Sequence, residues 1–321
     1  MFHLKEFSDM LEKHNVDVKL VLDTLGNQTS KSDRNDVKIL FLNPPGQFTL
    51  TESPNENGDG LLESDDFGYF PPLGLLYVLS YLQEKHPEHE IIFKDCIAER
   101  LGHRRTAEYI ATVMPDVVGI TSFTIALVDI VKVAEAIRKI NPDCHICLGG
   151  HHPIAFPVQA AKLPQFDSVV VGEGEYAFSD LISCLDKGED FTHITGVYTK
   201  TSIETHVGDI SRDKRFLNHV NVPVAYVDDL ADIPIPDRRY LEGIEYNSIV
   251  GSSAKMATIL STRGCPYLCT FCDVPYKKYR TRTIESVVDE VEVCLAQGYE
   301  EFHFYDDLFN ITSKKVIEFC D

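Results

Sequence analysis

The sequence lacks any apolar run long enough to cross a membrane. No stretch of its 321 residues reaches the ~18 uninterrupted apolar residues that a membrane helix needs. The longest candidate, 117–128, contains Thr and Ser and is followed by Asp129. The first residues also lack the apolar core and the cleavage site of a signal peptide. We therefore expect a cytoplasmic protein with no transmembrane segment.

Positive charge is also scarce in this chain. Its 30 Lys and Arg stand against 50 Asp and Glu, which gives a net charge of −20 at pH 7. Such a charge favours solubility and disfavours binding to the phosphate backbone of a nucleic acid, so no nucleic-acid partner is expected. The basic stretch 277–282 is a local exception. It is either a solvated surface or a neighbour of an anionic cofactor.

A disulfide framework is not indicated either. Nine cysteines are an odd number, and a chain without a signal peptide is expected in a reducing compartment, where thiols are free or bind metals. Six cysteines are scattered, and each is expected to be a small buried hydrophobe. These are Cys96, Cys144, Cys147, Cys184, Cys294 and Cys320.

Short apolar runs alternate with amphipathic stretches between residues 37 and 190. Strands are predicted at 37–42, 91–93, 117–121, 145–148 and 168–171, and the segments between them have helical length and periodicity. This alternation predicts an α/β fold with a doubly wound parallel sheet, whose ligands bind at the carboxyl ends of the strands. We divide the chain into a helical extension (1–36), this domain (37–190), a linker (191–250) and a second βα domain (251–321).

The strongest local signal is a cysteine loop after a predicted strand at 257–261. Cys265, Cys269 and Cys272 have CxxxCxxC spacing on this one loop, so three thiols can bind a single inorganic cluster. Three ligands on a four-iron cluster leave one iron open to a substrate or cofactor. Zinc is the alternative metal, but a structural zinc site has four protein ligands, and no second Cys/His pair follows.

With Phe271 before its last cysteine, the loop resembles the motif of the radical S-adenosylmethionine (SAM) superfamily. The resemblance implies a [4Fe–4S] cluster on the three cysteines, SAM on the fourth iron and cleavage of SAM to a 5′-deoxyadenosyl radical. Asp306 and Asp307 end the next predicted strand and resemble the Asp-Asp-x-Phe motif of members with an N-terminal cobalamin domain. There the acid would bind the SAM ammonium group. An exposed acidic turn is the alternative.

Glycine-rich turns follow two predicted strands of the first domain. Glycine lets backbone approach a bulky ligand closely, although the same residues also serve tight turns. In this order before the cysteine loop, the turns resemble the cobalamin-binding domain of B12-dependent radical SAM proteins. The resulting candidate cofactor contacts are Ser122, Gly149, Gly150, His151, Gly172, Glu173 and Gly174.

The sequence departs from its relatives in two places. Cobalamin domains of the methionine-synthase type carry Asp-x-His-x-x-Gly, whose His ligates cobalt, but 95–100 contains neither that His nor that Gly. A cobalt ligand from this loop is therefore not expected. The residues after Cys272 are also too few for a whole radical SAM partial barrel. We expect only its truncated N-terminal part, in a fragment or in a chain completed in trans.

The resemblance implies a radical SAM enzyme that uses cobalamin to methylate an unactivated carbon of a small-molecule or lipid substrate. The electron would come from a donor protein such as flavodoxin or ferredoxin. A cyclase or rearrangement enzyme of the same family is the first alternative. A non-catalytic corrinoid-binding protein and a zinc-bound interaction module are the others.

Overall fold

The computed structural model describes residues 36–48, 50–51, 62–63, 69–206, 222–246, 251, 255–272 and 274–321. The helical extension expected at 1–36 lies outside these residues except at its last position. Among the described helices, none combines the length and the apolarity that a membrane crossing requires.

A six-stranded sheet forms the centre of the first part of the chain. Its strands are β1 (Lys38–Asn43), β2 (Glu90–Asp95), β3 (Val117–Ser122), β4 (His145–Gly150), β5 (Ser168–Val170) and β6 (Val197–Tyr198). They lie in the order β2-β1-β3-β4-β5-β6. The first five are parallel, and β6 pairs antiparallel with β5. The predicted parallel sheet is confirmed, and it extends beyond residue 190, where the linker was expected to begin.

Helices cover both faces of this sheet. They are α1 (Leu73–Lys85), α2 (His103–Val113), α3 (Leu127–Ile140), α4 (His151–Ala155), α5 (Pro157–Ala161) and α6 (Gly174–Lys187). Alternate residues of a strand point to opposite faces. Thus Leu40 packs in a core with α2 and α3, whereas Phe41 packs in a second core with α1 and α6. The sheet is doubly wound, as predicted.

One predicted helix is interrupted. The periodicity predicts a single helix at about 154–162, but α4 ends at Ala155 and α5 begins at Pro157. Proline has no backbone N–H and clashes with the preceding turn of a helix, so it is tolerated at the first position and not inside. The prediction of a continuous helix was therefore wrong.

The order of the strands fixes where a ligand can enter. Strand β1 pairs with β2 on one side and with β3 on the other, so the chain winds away from β1 in both directions. A crevice opens at the carboxyl ends of β1 and β3, where such sheets bind their ligands.

The second part of the chain is a smaller α/β unit. It contains β7 (Met256–Ile259), β8 (Thr262–Arg263), β9 (Arg280–Thr281), α7 (Ile284–Ala296), β10 (Glu301–Phe304) and α8 (Ser313–Cys320). Strands β7 and β10 are parallel, as the predicted βα pattern requires, and β8 pairs antiparallel with β9. The pair β8–β9 forms the stem of the cysteine loop.

Candidate functional site

A cavity of about 970 Å³ lies between the two parts of the chain. One wall comes from the carboxyl ends of β1, β3 and β4 with the turns that follow β4 and β5. The opposite wall comes from β8, from residues 274–276, which follow the last cysteine of the loop, and from the turn after β10. The cavity is at the upper end of the usual size for cofactor sites and has the mostly apolar lining typical of them.

Aromatic side chains form much of this lining, and the sequence analysis missed them. Tyr77 on α1 has a buried hydroxyl with no hydrogen-bond partner. Burial, together with the charge of Glu290, raises the pKa of Tyr77 to about 12, so its hydroxyl is a protonated donor. Tyr305, after β10, packs its ring 5.6 Å from that of Phe70, and desolvation raises its pKa to about 12. The local sequence patterns of α1 and β10 do not distinguish these two tyrosines from core residues.

The predicted glycines all line the cavity, but they differ in the space that the protein leaves around them. A Cβ on Gly150 (φ +90°) would lie 2.6 Å from the backbone nitrogen of Ser122. A Cβ on Gly172 (φ +117°) would lie 2.1 Å from the carbonyl oxygen of Ala225. At Gly149, in contrast, the nearest atom would be 4.0 Å away, and the residue lines the cavity. Of the four predicted glycines, Gly149 is therefore the one whose missing side chain leaves the most room for a ligand.

This difference predicts two opposite outcomes at neighbouring positions. Gly149→Leu should fill part of the cavity and lower the uptake of hydroxocobalamin, with little loss of stability. Gly150→Ala should instead lower the free energy of unfolding by about 1–3 kcal/mol, because alanine is strained at this φ and the strand end has no space for Cβ. Gel filtration with absorption spectra measures uptake, and denaturant titration measures stability. Undiminished uptake by Gly149→Leu would contradict the assignment.

Three other predicted contacts in the first domain have defined positions. Ser122 is buried, and its hydroxyl donates to the carbonyl oxygen of Gly149 at 2.6 Å, which ties β3 to β4. His151 lines the cavity and stacks on Phe123 with ring centroids 4.9 Å apart. Gly174 also lines the cavity, and its Cβ would lie 3.0 Å from the side chain of Val78 on α1. Their contacts with a cofactor remain predictions.

No cobalt ligand was expected from the loop after β2. The side chain of Asp95 stabilises this loop by hydrogen bonds. Its buried carboxylate accepts hydrogen bonds from the Asn43 side chain at 2.8 Å, from the Tyr246 hydroxyl at 3.1 Å and from two backbone N–H groups of its own loop. Burial raises the pKa of Asp95, and these hydrogen bonds partly offset that effect. Asp95 therefore holds the wall of the cavity to the segment before β7.

The cysteine loop turns sharply at its start. Gly264 has φ +82°, and a Cβ there would lie 2.6 Å from the carbonyl oxygen of Lys278. The next residue, Cys265, donates its backbone N–H to the carbonyl of Tyr276 at 2.9 Å. Cys265 and Cys272 are partly buried, and Cys269 is exposed. Phe271, which the resemblance of the motif makes a candidate cofactor-binding residue, is 90% exposed and is not among the residues that line the cavity.

The three thiols can be compared with groups of side chains that are close enough to bind a single metal ion. Among the described residues, one group of three His, Cys, Asp or Glu ligand atoms lies within 4.8 Å of one another, and it contains no cysteine. A tetrahedral zinc ion with Zn–S of about 2.3 Å would hold its sulfurs about 3.8 Å apart. The three thiols do not form such a group, and the choice of an iron cluster over zinc rests on the sequence motif.

The group that does meet this criterion, His86, Glu88 and His89, is not built as a metal site. His89 Nδ1 accepts the backbone N–H of Val37 at 3.3 Å, so a neutral His89 carries its proton on Nε2. That nitrogen faces the Glu88 carboxylate at 3.9 Å. A metal-bound histidine instead donates from its second nitrogen. The group lies after the carboxyl end of α1, and none of its members lines the cavity.

The two predicted acids after β10 differ in their contacts. Asp306 accepts hydrogen bonds from the backbone N–H groups and hydroxyls of Ser261 and Thr262, so both its oxygens are engaged by protein groups. Asp307 lines the cavity. Partial desolvation raises the pKa of Asp307, and a hydrogen bond from the backbone N–H of Gly264 lowers it. Of the two, Asp307 is the acid placed to meet a ligand.

The basic stretch 277–282 is divided between the interior and the surface of the protein. Arg280 and Arg282 form buried ion pairs with Glu173 and Glu290, respectively. Lys278 pairs at the surface with Asp228. Both arginines are thus used inside the protein, and neither forms a solvated face.

The scattered cysteines follow the prediction with one exception. Five are buried free thiols, and burial raises the pKa of Cys147 to about 12, which makes it unreactive. Cys320 is exposed, so the prediction for this residue was wrong. It lies at the end of α8, and its burial was expected only because free cysteines are usually buried.

The first domain is similar to a known family. Residues 66–182 match the family model of the B12 binding domain. The chain is 29% identical over 287 residues to an uncharacterized methyltransferase of Pyrococcus horikoshii, covering 88% of this chain and 56% of that protein. It is also 29% identical over 276 residues to an anaerobic magnesium-protoporphyrin IX monomethyl ester cyclase of Rubrivivax gelatinosus, covering 84% and 46%.

A solved structure has the same fold. The radical SAM methyltransferase TsrM of Kitasatospora setae, with cobalamin and a [4Fe–4S] cluster bound, superposes with a TM-score of 0.61 at 22% identity, over 88% of this chain and 51% of that one. These findings confirm the resemblance to cobalamin-dependent radical SAM proteins, with the B12 binding domain model matching residues 66–182. The chain spans about half the length of the curated relatives it matches.

Proposed function

We propose that this chain, with a B12 binding domain at 66–182, is the cofactor-binding part of a cobalamin-dependent radical SAM methyltransferase. One observation carries the proposal. A single cavity is bounded on one side by the carboxyl-end turns of the B12 binding domain and on the other by the stem and far end of the cysteine loop. Two cofactors bound at these walls would face each other across the same space.

The residues present fit both groups. Cys265, Cys269 and Cys272 offer three thiolates on one loop, which suits a [4Fe–4S] cluster with an open iron. Gly149 and the apolar lining of the cavity suit a large, flat corrinoid. When bound, the cluster with SAM would supply a radical source, and cobalamin would supply a methyl carrier.

The chain's own residues bind, orient and exclude water. Asp307, at the cavity wall next to Gly264, would accept a hydrogen bond from the SAM ammonium group. Phe271 would contact SAM from its exposed position on the loop. Tyr77 would donate its free hydroxyl to a carbonyl group on the edge of the ligand. The apolar lining around Tyr77 and Asp307 would exclude water from bound cofactors.

Methyl transfer is preferred over cyclisation because the first relative named above is a methyltransferase, while the cyclase covers less of this chain. A cyclase remains the alternative, since the cyclase relative is also 29% identical to this chain. An electron donor such as flavodoxin or ferredoxin and a cytoplasmic location, where thiols stay reduced, belong to the same proposal.

The test is SAM cleavage in the full-length protein after reconstitution with iron, sulfide and hydroxocobalamin. With reductant, we expect 5′-deoxyadenosine, and with methyl-deuterated SAM we expect the label first in the corrinoid and then in a product. Cleavage without label in the corrinoid would favour the cyclase. Bound corrinoid and cluster without any SAM cleavage would overturn the enzymatic proposal.

A further inference from the structure

The turn after β5 carries Glu173, which sequence reasoning assigned to cofactor binding. Its side chain reaches the cavity wall, but both carboxylate oxygens are engaged by protein groups. Oε2 accepts from the Val227 backbone N–H at 2.7 Å and from Arg280 at 2.7 Å. Oε1 accepts from Arg280 at 2.9 Å and from Arg263 at 3.3 Å. Glu173 is 8% exposed, so these contacts are shielded from solvent.

The two arginines are the residues that close the stem of the cysteine loop. Arg263 on β8 and Arg280 on β9 are directly paired in the antiparallel register. All three predicted cluster ligands lie between them in the chain. One carboxylate of the B12 binding domain therefore holds both ends of the loop that carries the cysteines.

Further contacts stabilise the two arginines in this position. Glu175, two residues later, pairs with Arg263 at 2.7 Å, so two carboxylates balance two guanidinium groups. Burial alone would lower the pKa of Arg263, but Glu175 and Glu173 outweigh it and raise that pKa. The Arg280 guanidinium also stacks 3.9 Å from the ring centroid of Tyr226 and donates to the Val227 carbonyl. A bidentate arginine–carboxylate pair fixes orientation as well as distance.

The backbone on both sides of Gly172 is also hydrogen-bonded to the linker. Ala225 donates its N–H to the carbonyl of Val171 at 2.8 Å and accepts from the N–H of Glu173 at 3.0 Å. The close approach at Gly172 is thus made by the segment that leads to the second part of the chain. The Gly-Glu-Gly turn is anchored to both the linker and the cysteine loop.

From this geometry we infer that Glu173 is a positioning residue that sets the distance and orientation between the cluster and the corrinoid. The inference rests on the proposed function for what the two walls bind. It assigns to the Gly-Glu-Gly turn a role in joining the two cofactor sites. A contact with the cofactor itself is not needed for this role.

The test compares two variants of the full-length protein, Glu173→Gln and the control Glu189→Gln. Glu189 is an exposed acid that follows α6. In the cofactor-free protein, hydrogen exchange across 262–281 should accelerate in Glu173→Gln and stay unchanged in the control. This readout does not depend on the proposed function. After reconstitution, Glu173→Gln should still hold iron and corrinoid. The magnetic interaction between cob(II)alamin and the reduced cluster, measured by electron paramagnetic resonance, should weaken or broaden.

A misplacement of about 1 Å can cost about 100-fold in rate, so SAM-dependent methylation should fall by that order. Unchanged exchange and unchanged magnetic interaction would overturn the inference. Loss of corrinoid with retention of iron would also overturn it, because Glu173 would then be a cofactor contact. If Glu173→Gln does not fold, Arg280→Lys decides by the same criteria, since one ammonium group cannot bridge both oxygens. Wild-type protein without iron or corrinoid would instead contradict the proposed function.

Discussion

Replacing Cys269 by alanine is expected to abolish cluster binding. The wild-type protein should hold about four irons per chain after anaerobic reconstitution, and the variant should hold almost none. Cys269 is exposed on its loop, so removing its thiol leaves no cavity in a core. Iron and sulfide analysis, with the absorption spectrum, measures the loss.

Cys320→Ala is the matched control, because Cys320 is also an exposed free thiol but lies outside the loop. It should retain iron at the wild-type level. Corrinoid uptake should persist in both variants, since neither substitution lies in the region 66–182 that matches the B12 binding domain model. Full iron content in Cys269→Ala would show that the cluster ligands are elsewhere.

The second large effect is expected at Glu290, which is completely buried on α7. Its carboxylate pairs with Arg238 at 2.5 Å and with Arg282. Arg238 also donates to the carbonyl of Thr258 on β7 at 2.7 Å. Glu290→Gln would leave two buried guanidinium groups without their counter-ion. We expect the free energy of unfolding to fall by about 3–5 kcal/mol.

Denaturant titration of the cofactor-free protein measures this change. Glu292→Gln, on the same helix but exposed, should alter the free energy of unfolding by less than about 0.5 kcal/mol. Equal stability of the Glu290 and Glu292 variants would mean that the buried ion group does not hold α7 to the segment before β7. The positions of β7 and of the cysteine loop after it depend on that attachment.

The elements of the first domain could be predicted from the sequence because each carries a local signal. The run 37–42 differs from the strand β1 by one residue at each end, and the periodicity of 73–84 marks α1 almost to its end. Strand alternation with helices was enough to infer a parallel sheet. The edge strand β6 lies in the segment expected to be a linker with a small strand pair, and its pairing with β5 was not predicted because two residues in a weakly periodic segment give no such signal.

The cysteine loop and the acids after β10 were predictable as a motif, and their roles stay predictions. The contacts around them were not predictable, because they join residues far apart in the chain. Glu173 and Arg280 are separated by 107 positions, and neither shows its partner in the local pattern. Gly172 illustrates the same point. A glycine after a strand suggested room for a ligand, whereas the group that approaches it is the backbone of Ala225.

The central claim is that one cavity brings a corrinoid and an iron–sulfur cluster together. The most direct measurement is metal analysis of the full-length protein after anaerobic reconstitution with iron, sulfide and hydroxocobalamin. The account predicts about four irons per chain together with equimolar cobalt, and a magnetic interaction between the two centres. Zinc in place of iron, or iron without retained cobalt, would contradict it.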